Sequence, residues 1–144
     1  MSELDMTNDE REAFLAGLHV GVLSIGRERK GPLALPIWYT YQPSVDGGAV
    51  VLSMDGASLK ARLLGARGRA TLTVQDEAPP YKYVMVEGPV TIGRHDHDSL
   101  ALASRYLGEQ MGAWYAEHNP PGDDSVTVRL HPEQWLTIDY GKMT

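Results

Sequence analysis

The chain has 144 residues, 13 Lys and Arg against 19 Asp and Glu for a formal net charge of −6, and no cysteine. The length suits one compact domain spanning residues 1–144. The missing thiols exclude disulfide frameworks, thiol catalysis, thiolate zinc sites and iron–sulfur clusters. The acidic balance speaks against general nucleic-acid binding, which carries a basic footprint. It leaves room for a local cationic site, because a net charge is an average. The first ten residues are acidic where a secretory signal is basic and then apolar. No apolar run approaches the ~20 residues of a membrane span. The expectation is a cytoplasmic protein with no membrane or nucleic-acid partner.

The predicted elements follow in chain order. Thr7 with Glu10 three residues on makes a capping box for a helix within residues 1–18, with Phe14, Leu15 and Leu18 as its apolar stripe. The period then changes to two. His19 to Ile25 and Leu33 to Tyr41 read as a hairpin around a polar turn from Arg27 to Pro32. Pro36 cannot donate to a ladder, so the second strand belongs at an edge or is bulged there. A turn from Gln42 to Gly48 leads to an apolar strand, Ala49 to Met54.

Ser58 is a natural N-cap for a helix from Leu59 to Ala66, with Leu59 and Leu63 on one face. Arg69 to Gln75 alternates Ala70, Leu72 and Val74 against polar residues, the pattern of a half-buried strand. After the stiff connector Ala78-Pro79-Pro80, Tyr81 to Ile92 is the longest β-like run, with a bend expected at Gly88-Pro89. Ser99 to His118 reads as one helix with Leu102, Tyr106, Leu107, Met111, Trp114 and Tyr115 on its apolar face, and with Gly108 and Gly112 as weak points. Two last strands, Ser125 to Leu130 and Gln134 to Tyr140, flank His131-Pro132. Short strands joined mostly by tight turns imply antiparallel pairing in a small barrel; a doubly wound parallel sheet needs more helices.

Four stretches could carry chemistry. Gly56 to Gln75 holds Lys60, Arg62, Arg67 and Arg69 and no acidic residue. Lys60 and Arg62, with Ser58, lie at the start of a predicted helix, where free N–H groups and the dipole favour an anion such as phosphate. A solvated basic helix face is the competing reading. Leu35-Pro36-Ile37-Trp38 offers unpaired backbone groups beside a large aromatic, a ledge for a planar heterocycle or simply an edge strand with a core Trp. Tyr81-Lys82-Tyr83 places two tyrosines on one face and a lysine on the other, facing a ligand, a partner or the core. His95-Asp96-His97-Asp98 gathers metal-ligand types, but a helix start with Asp96 or Asp98 as N-cap explains it better. No Gly-x-Ser-x-Gly elbow, Walker loop or Rossmann fingerprint is present.

The order of these pieces resembles a known family. Leu35-Pro36-Ile37-Trp38 is followed by a strand and then by Ser58-Leu59-Lys60-Ala61-Arg62-Leu63-Leu64. Thr71 to Val74, Asp76 to Tyr81 and Val86-Glu87-Gly88 come next. The chain resembles the pyridoxamine 5′-phosphate oxidase-like flavin-binding split-barrel superfamily, and within it the small actinobacterial flavin/deazaflavin oxidoreductases. The resemblance implies a mainly β fold with flanking helices, a six-stranded antiparallel split β-barrel. It implies a homodimer with cofactor grooves at the interface, binding FMN or coenzyme F420. By position, Lys60, Arg62 and Ser58 correspond to the cofactor-phosphate group, and Pro36, Ile37 and Trp38 to the strand beside the ring. Tyr81, Lys82 and Trp135 are candidates for completing the groove.

The chain lacks the longer Arg-rich phosphate motif and the substrate-binding C-terminus of true pyridoxamine-phosphate oxidases, which argues against vitamin B6 oxidation. Leu63 also stands where many relatives carry Asn. The implied function is hydride transfer between the cofactor and a small organic substrate, with no side-chain nucleophile and no metal; a non-catalytic flavin carrier or sensor is the alternative.

Overall fold

A computed structural model describes residues 2–43 and 47–143. The centre of the predicted Gln42–Gly48 turn, residues 44–46, lies outside the described residues.

The first helix, α1 (Asn8–Ala16), starts as expected. Thr7 Oγ1 accepts from the Glu10 N–H at 3.1 Å, and Glu10 Oε1 accepts from the Thr7 N–H at 2.8 Å. Leu15 is fully buried, whereas Leu18 lies beyond the helix end and is exposed. The last turn of α1 has no basic residue of its own. Arg105 supplies the cation, donating to the Ala16 carbonyl at 3.0 Å and the Gly17 carbonyl at 2.6 Å.

Strands β1 (Gly21–Arg27) and β2 (Lys30–Ile37) form the expected hairpin. Val22 faces Pro36 in regular register, and the irregularity falls between Ile25 and Arg27 instead. β2 is an edge strand, which is the arrangement its proline requires. The single strand expected from Leu33 to Tyr41 is two. β2 stops at Ile37, and β3 (Thr40–Gln42) pairs instead with β4 (Ala49–Asp55).

Helix α2 (Leu59–Arg67) is capped by Ser58, whose Oγ accepts from the Ala61 N–H at 3.2 Å. It ends at Gly68 in the left-handed conformation (φ 70°). Its buried face is Ala61 and Leu64, while Leu59 is exposed. In β5 (Arg69–Asp76), Ala70, Leu72 and Val74 are buried, following the predicted alternation.

β6 (Lys82–Arg94) pairs along its whole length with β5, β7 (Ser125–Leu130) and β8 (Gln134–Asp139). β7 and β8 run along β6 as two halves of a strand bent at His131-Pro132. The bend is made possible by Gly88: a Cβ there would stand 1.8 Å from the His131 carbonyl oxygen. The His131 and Glu133 N–H groups still pair, with the carbonyls of Pro89 and Glu87.

The helix expected over residues 99–118 is broken. Gly108, at φ 85°, ends α3 (Ser99–Leu107) and begins α4 (Glu109–His118). α4 folds back so closely that a Cβ on Gly112 would lie 2.5 Å from Ser104 Cα. With the fold-back, Met111 and Trp114 stay largely exposed and Tyr115 partly so, and the three do not form a core face.

Among the described residues all strand pairs are antiparallel, and the sheet has eight strands in the order β2-β1-β5-β6-β7-β4-β3, with β8 on β6. The six-stranded expectation is corrected to eight, and hydrogen bonds between the described strands do not close the sheet. The curl comes from the chain itself. β2 and β3 lie at opposite ends of this order, yet only Trp38 and Tyr39 separate them. Such a link spans about 10 Å at most, so the sheet bends round until its ends nearly meet. This is a split barrel. Its interior holds Leu23, Ile25, Leu52, Leu72, Val86, Val128 and Leu130, all almost fully buried. No helix of the described residues is long and apolar enough to cross a membrane.

Candidate functional site

At the seam where β2 gives way to β3, a cavity of about 470 Å³ opens. Pro36, Ile37 and Trp38 form one wall. Ser53, Met54 and Asp55 at the end of β4, and Lys60 in the first turn of α2, form another. His97, Leu102 and Tyr115 reach it from the α3–α4 side.

The aromatic wall is fixed from behind. Trp38 stacks on Tyr106 of α3, ring centroids 4.9 Å apart, and meets Tyr115 of α4 at 5.5 Å. Tyr106 Oη donates to the His19 carbonyl at 2.6 Å and accepts from the Tyr39 N–H at 3.1 Å. The backbone at the seam would otherwise have lost its ladder partners. Tyr39 itself is buried and donates to the Leu15 carbonyl at 2.5 Å. Burial pushes its phenol well above the ordinary range.

The acid-free basic stretch divides into different roles. Lys60 is half-buried, lines the cavity, and makes no hydrogen bond or ion pair among the described residues. Arg62, two positions on, is exposed and outside the lining; at about 100° per residue the two point to different sides of the helix. Arg67 donates to the Gly26 carbonyl at 3.1 Å, and Arg69 pairs with Glu133 at 2.7 Å. Ser58 caps α2, and its hydroxyl hydrogen goes to the Asp55 carbonyl at 2.6 Å. The Asp55 carboxylate accepts from the Ala57 N–H at 2.9 Å. The first turn of α2 carries no acidic residue.

The remaining sequence candidates lie elsewhere on this chain. Tyr81 is exposed before β6, its carbonyl accepting from the Tyr140 N–H at 3.0 Å. Lys82 stands opposite Asp139 and Asp76 in the ladders. Trp135 packs on the core with the Arg11 guanidinium 4.3 Å above its ring. The structure thus brings Pro36, Ile37, Trp38 and Lys60 together, with Ser58 and Arg62 on the adjoining helix start.

The His95–Asp98 stretch does begin a helix: Asp98 Oδ1 accepts from the Ala101 N–H at 3.0 Å. Asp96 makes a two-pronged contact with Arg129, at 3.1 and 3.2 Å, and that pairing lowers its pKa. Among the described residues no group of three or more His, Cys, Asp or Glu could hold a metal ion. Sequence reasoning missed His97, Ser53 and Tyr115 as cavity residues. Only His97 carried a signal, its place in a stretch of ligand-type side chains.

A curled, unclosed antiparallel sheet with an aromatic and cationic cavity at its seam defines a split-barrel protein. The chain belongs to the pyridoxamine 5′-phosphate oxidase family, whose sequence profile matches residues 7–139. Among solved structures it is similar to a conserved hypothetical protein from Mycobacterium tuberculosis, with a TM-score of 0.75 at 19% identity over 99% of this chain and 91% of that one. It is also similar to an F420 reductase (TM-score 0.63, 23% identity, 87% of this chain and 94% of that one). A third is a FAD-binding protein from Mesorhizobium loti (TM-score 0.65, 17% identity, 92% and 94%). At these identities the likeness is one of fold. No curated protein matches the sequence.

Proposed function

We propose that the chain binds a flavin-type cofactor, FMN or the deazaflavin F420, and acts as an oxidoreductase passing hydride between it and a small organic substrate. The observation that carries this reading is that Lys60 and the Pro36–Trp38 segment line one cavity. The donor set fits both ends of such a cofactor. Lys60 and the amino end of α2 offer a cation and free N–H groups to a phosphate. Pro36, Ile37 and Trp38 offer an apolar wall to a planar ring. Family membership, and fold neighbours named as an F420 reductase and a FAD-binding protein, support the class.

The bound cofactor supplies the hydride chemistry, and the protein supplies binding, orientation and electrostatics. Tyr106 holds the Trp38 wall at a fixed angle, and Lys60 anchors the anionic end. The partner in this reading is a second copy of the chain, in the cytoplasm. Pro36, Val22, Thr73, Met85 and Leu136 form one cross-strand row on the outer sheet face. Val22 and Leu136 are 41% and 49% exposed there, and Pro36 joins the row to the cavity.

Parallel titration of purified protein with FMN and F420 tests the reading, followed by hydride transfer from the reduced cofactor to quinones, enones and tetrapyrroles. Binding with turnover is expected. Binding without turnover on any acceptor makes the chain a carrier or sensor, and binding of neither cofactor overturns the proposal.

A further inference from the structure

His97 sits between two cavities. A second one, of about 300 Å³, lies against α3, β3 and β4 and shares Ser53, His97 and Leu102 with the first. His97 Nδ1 is 3.1 Å from Thr127 Oγ1. Thr127 is buried on β7, and its Oγ1 already accepts from the Asp96 N–H at 3.0 Å. A threonine hydroxyl has one hydrogen to give. Among the described residues, Nδ1 is the acceptor within hydrogen-bond distance of it; the Asp96 carboxylate, which also draws on this hydroxyl, has each of its oxygens taken by an Arg129 N–H, and a buried hydroxyl left without an acceptor is costly. The hydroxyl therefore donates to Nδ1, and in the neutral ring the proton resides on Nε2. Nε2 points away from Thr127, has no partner among the described residues, and is not one of the sealed, unpartnered atoms of the interior.

We propose that His97 is a tautomer-fixed hydrogen-bond donor of the cavity, presenting Nε2–H to the carbonyl of a planar ligand, with Thr127 as the positioning residue that fixes the tautomer. The inference rests on the cofactor reading above. The carbonyl belongs either to the cofactor ring or to a substrate stacked on it. A neutral N–H donor suits an acceptor that gains negative charge, because it stabilises the charge without surrendering its proton. The surroundings keep the ring neutral. Burial is the main cause that lowers its pKa, and His95, whose ring meets it edge-on at 4.2 Å, adds to it, as does Arg129. Asp96 and Asp98 act in the opposite sense, and Lys60 and Asp55 are the charged side chains lining the larger cavity.

Long-range proton–nitrogen spectra of the histidine-labelled full chain at pH 7.5 test the lock, with H97Q assigning the signal. The expected pattern is a protonated Nε2 and a bare Nδ1. T127V should give a mixture of tautomers, and T127S should restore the single form. A protonated Nδ1 in the wild-type chain, or a T127V spectrum equal to the wild type, overturns the lock; if T127V does not fold, the wild-type spectrum alone decides. FMN and F420 are then added, first alone and then with a naphthoquinone. A shift of the His97 Nε2 signal on cofactor alone assigns the cofactor carbonyl, and a shift only with the quinone assigns the substrate. Cofactor binding with that signal unmoved in both arms overturns the donor role and leaves the cofactor reading standing. Failure of the wild-type chain to bind either cofactor overturns the cofactor reading, and the ligand contact with it.

Discussion

The indole of Trp38 and the phenol of Tyr106 stack with ring centroids 4.9 Å apart and planes 3° apart. Trp38 belongs to the two-residue link between the sheet's ends, and Tyr106 to the helix behind it. One contact therefore serves both closure of the fold and the shape of the cavity. Tyr106→Phe keeps the stack and removes the bonds to His19 and Tyr39. A loss of about 1–3 kcal/mol is expected, because backbone groups at the seam lose their partner. Chemical denaturation checks it: the midpoint should fall with an unchanged denaturant slope. A midpoint equal to wild type would remove Tyr106 from this role.

Gly88 is expected to tolerate no side chain. Its missing Cβ lets the His131 carbonyl approach, and the obstacle is backbone, which cannot swing away. Gly88→Ala should cost more than about 3 kcal/mol, in the range of severe overpacking. Soluble yield and thermal unfolding read the effect, and Gly93→Ala is the control, with open space around its site. Wild-type stability in Gly88→Ala would refute the described bend.

Glu10 ties two pieces of chain together: Thr7 of its own capping box, at 2.8 Å, and Lys142, at 2.6 Å. The Lys142 hydrogen bond is the first cause that draws its pKa down to about 2 from an ordinary 4.5. A carboxylate whose folded pKa is depressed contributes stability above its unfolded pKa and loses it as pH falls toward the folded one. The contribution should fade between about pH 4.5 and 2. Glu10→Gln should then lower the unfolding midpoint at pH 7, with the gap to wild type closing at pH 2–3. The carboxylate is on the surface, so the difference should be small and should shrink in salt. A gap that stays constant with pH would contradict the pairing.

Much of this architecture was legible in residue patterns. Thr7 with Glu10, Ser58 and Asp98 announced helix starts because capping chemistry is local. Ala70, Leu72 and Val74 announced a buried strand face through simple alternation. What escaped were events decided by distant contacts. Leu33 to Tyr41 has one continuous β pattern, yet it breaks at Trp38 because its two halves find partners at opposite ends of the sheet. Likewise the apolar spacing from Leu102 to Tyr115 suits one long helix, and the fold-back at Gly108 appears only once α4 has α3 to pack on. At the site, Lys60 and the Pro36–Trp38 ledge were readable from type and order. Ser53 and Tyr115 carried no local mark, since tertiary packing alone brings them to the seam.

The outer row from Val22 to Leu136 should be an interface between two copies. Leu136→Glu places a charge at one end of it, opposite Met85. Sedimentation velocity should then report a monomer where the wild-type chain sediments as a dimer. A monomeric wild type, or an unchanged dimer in Leu136→Glu, would move the interface elsewhere.

The most direct test of the central claim is a side-by-side titration of FMN and F420 into the wild-type chain, Lys60→Ala and Arg62→Ala. Loss of one charge-assisted phosphate contact is worth about 1.5–3 kcal/mol, or about 10- to 150-fold in Kd. Lys60→Ala should weaken binding by that factor, and Arg62→Ala, outside the cavity lining, by less. Wild-type affinity in Lys60→Ala, or no binding of either cofactor by the wild-type chain, would contradict the account.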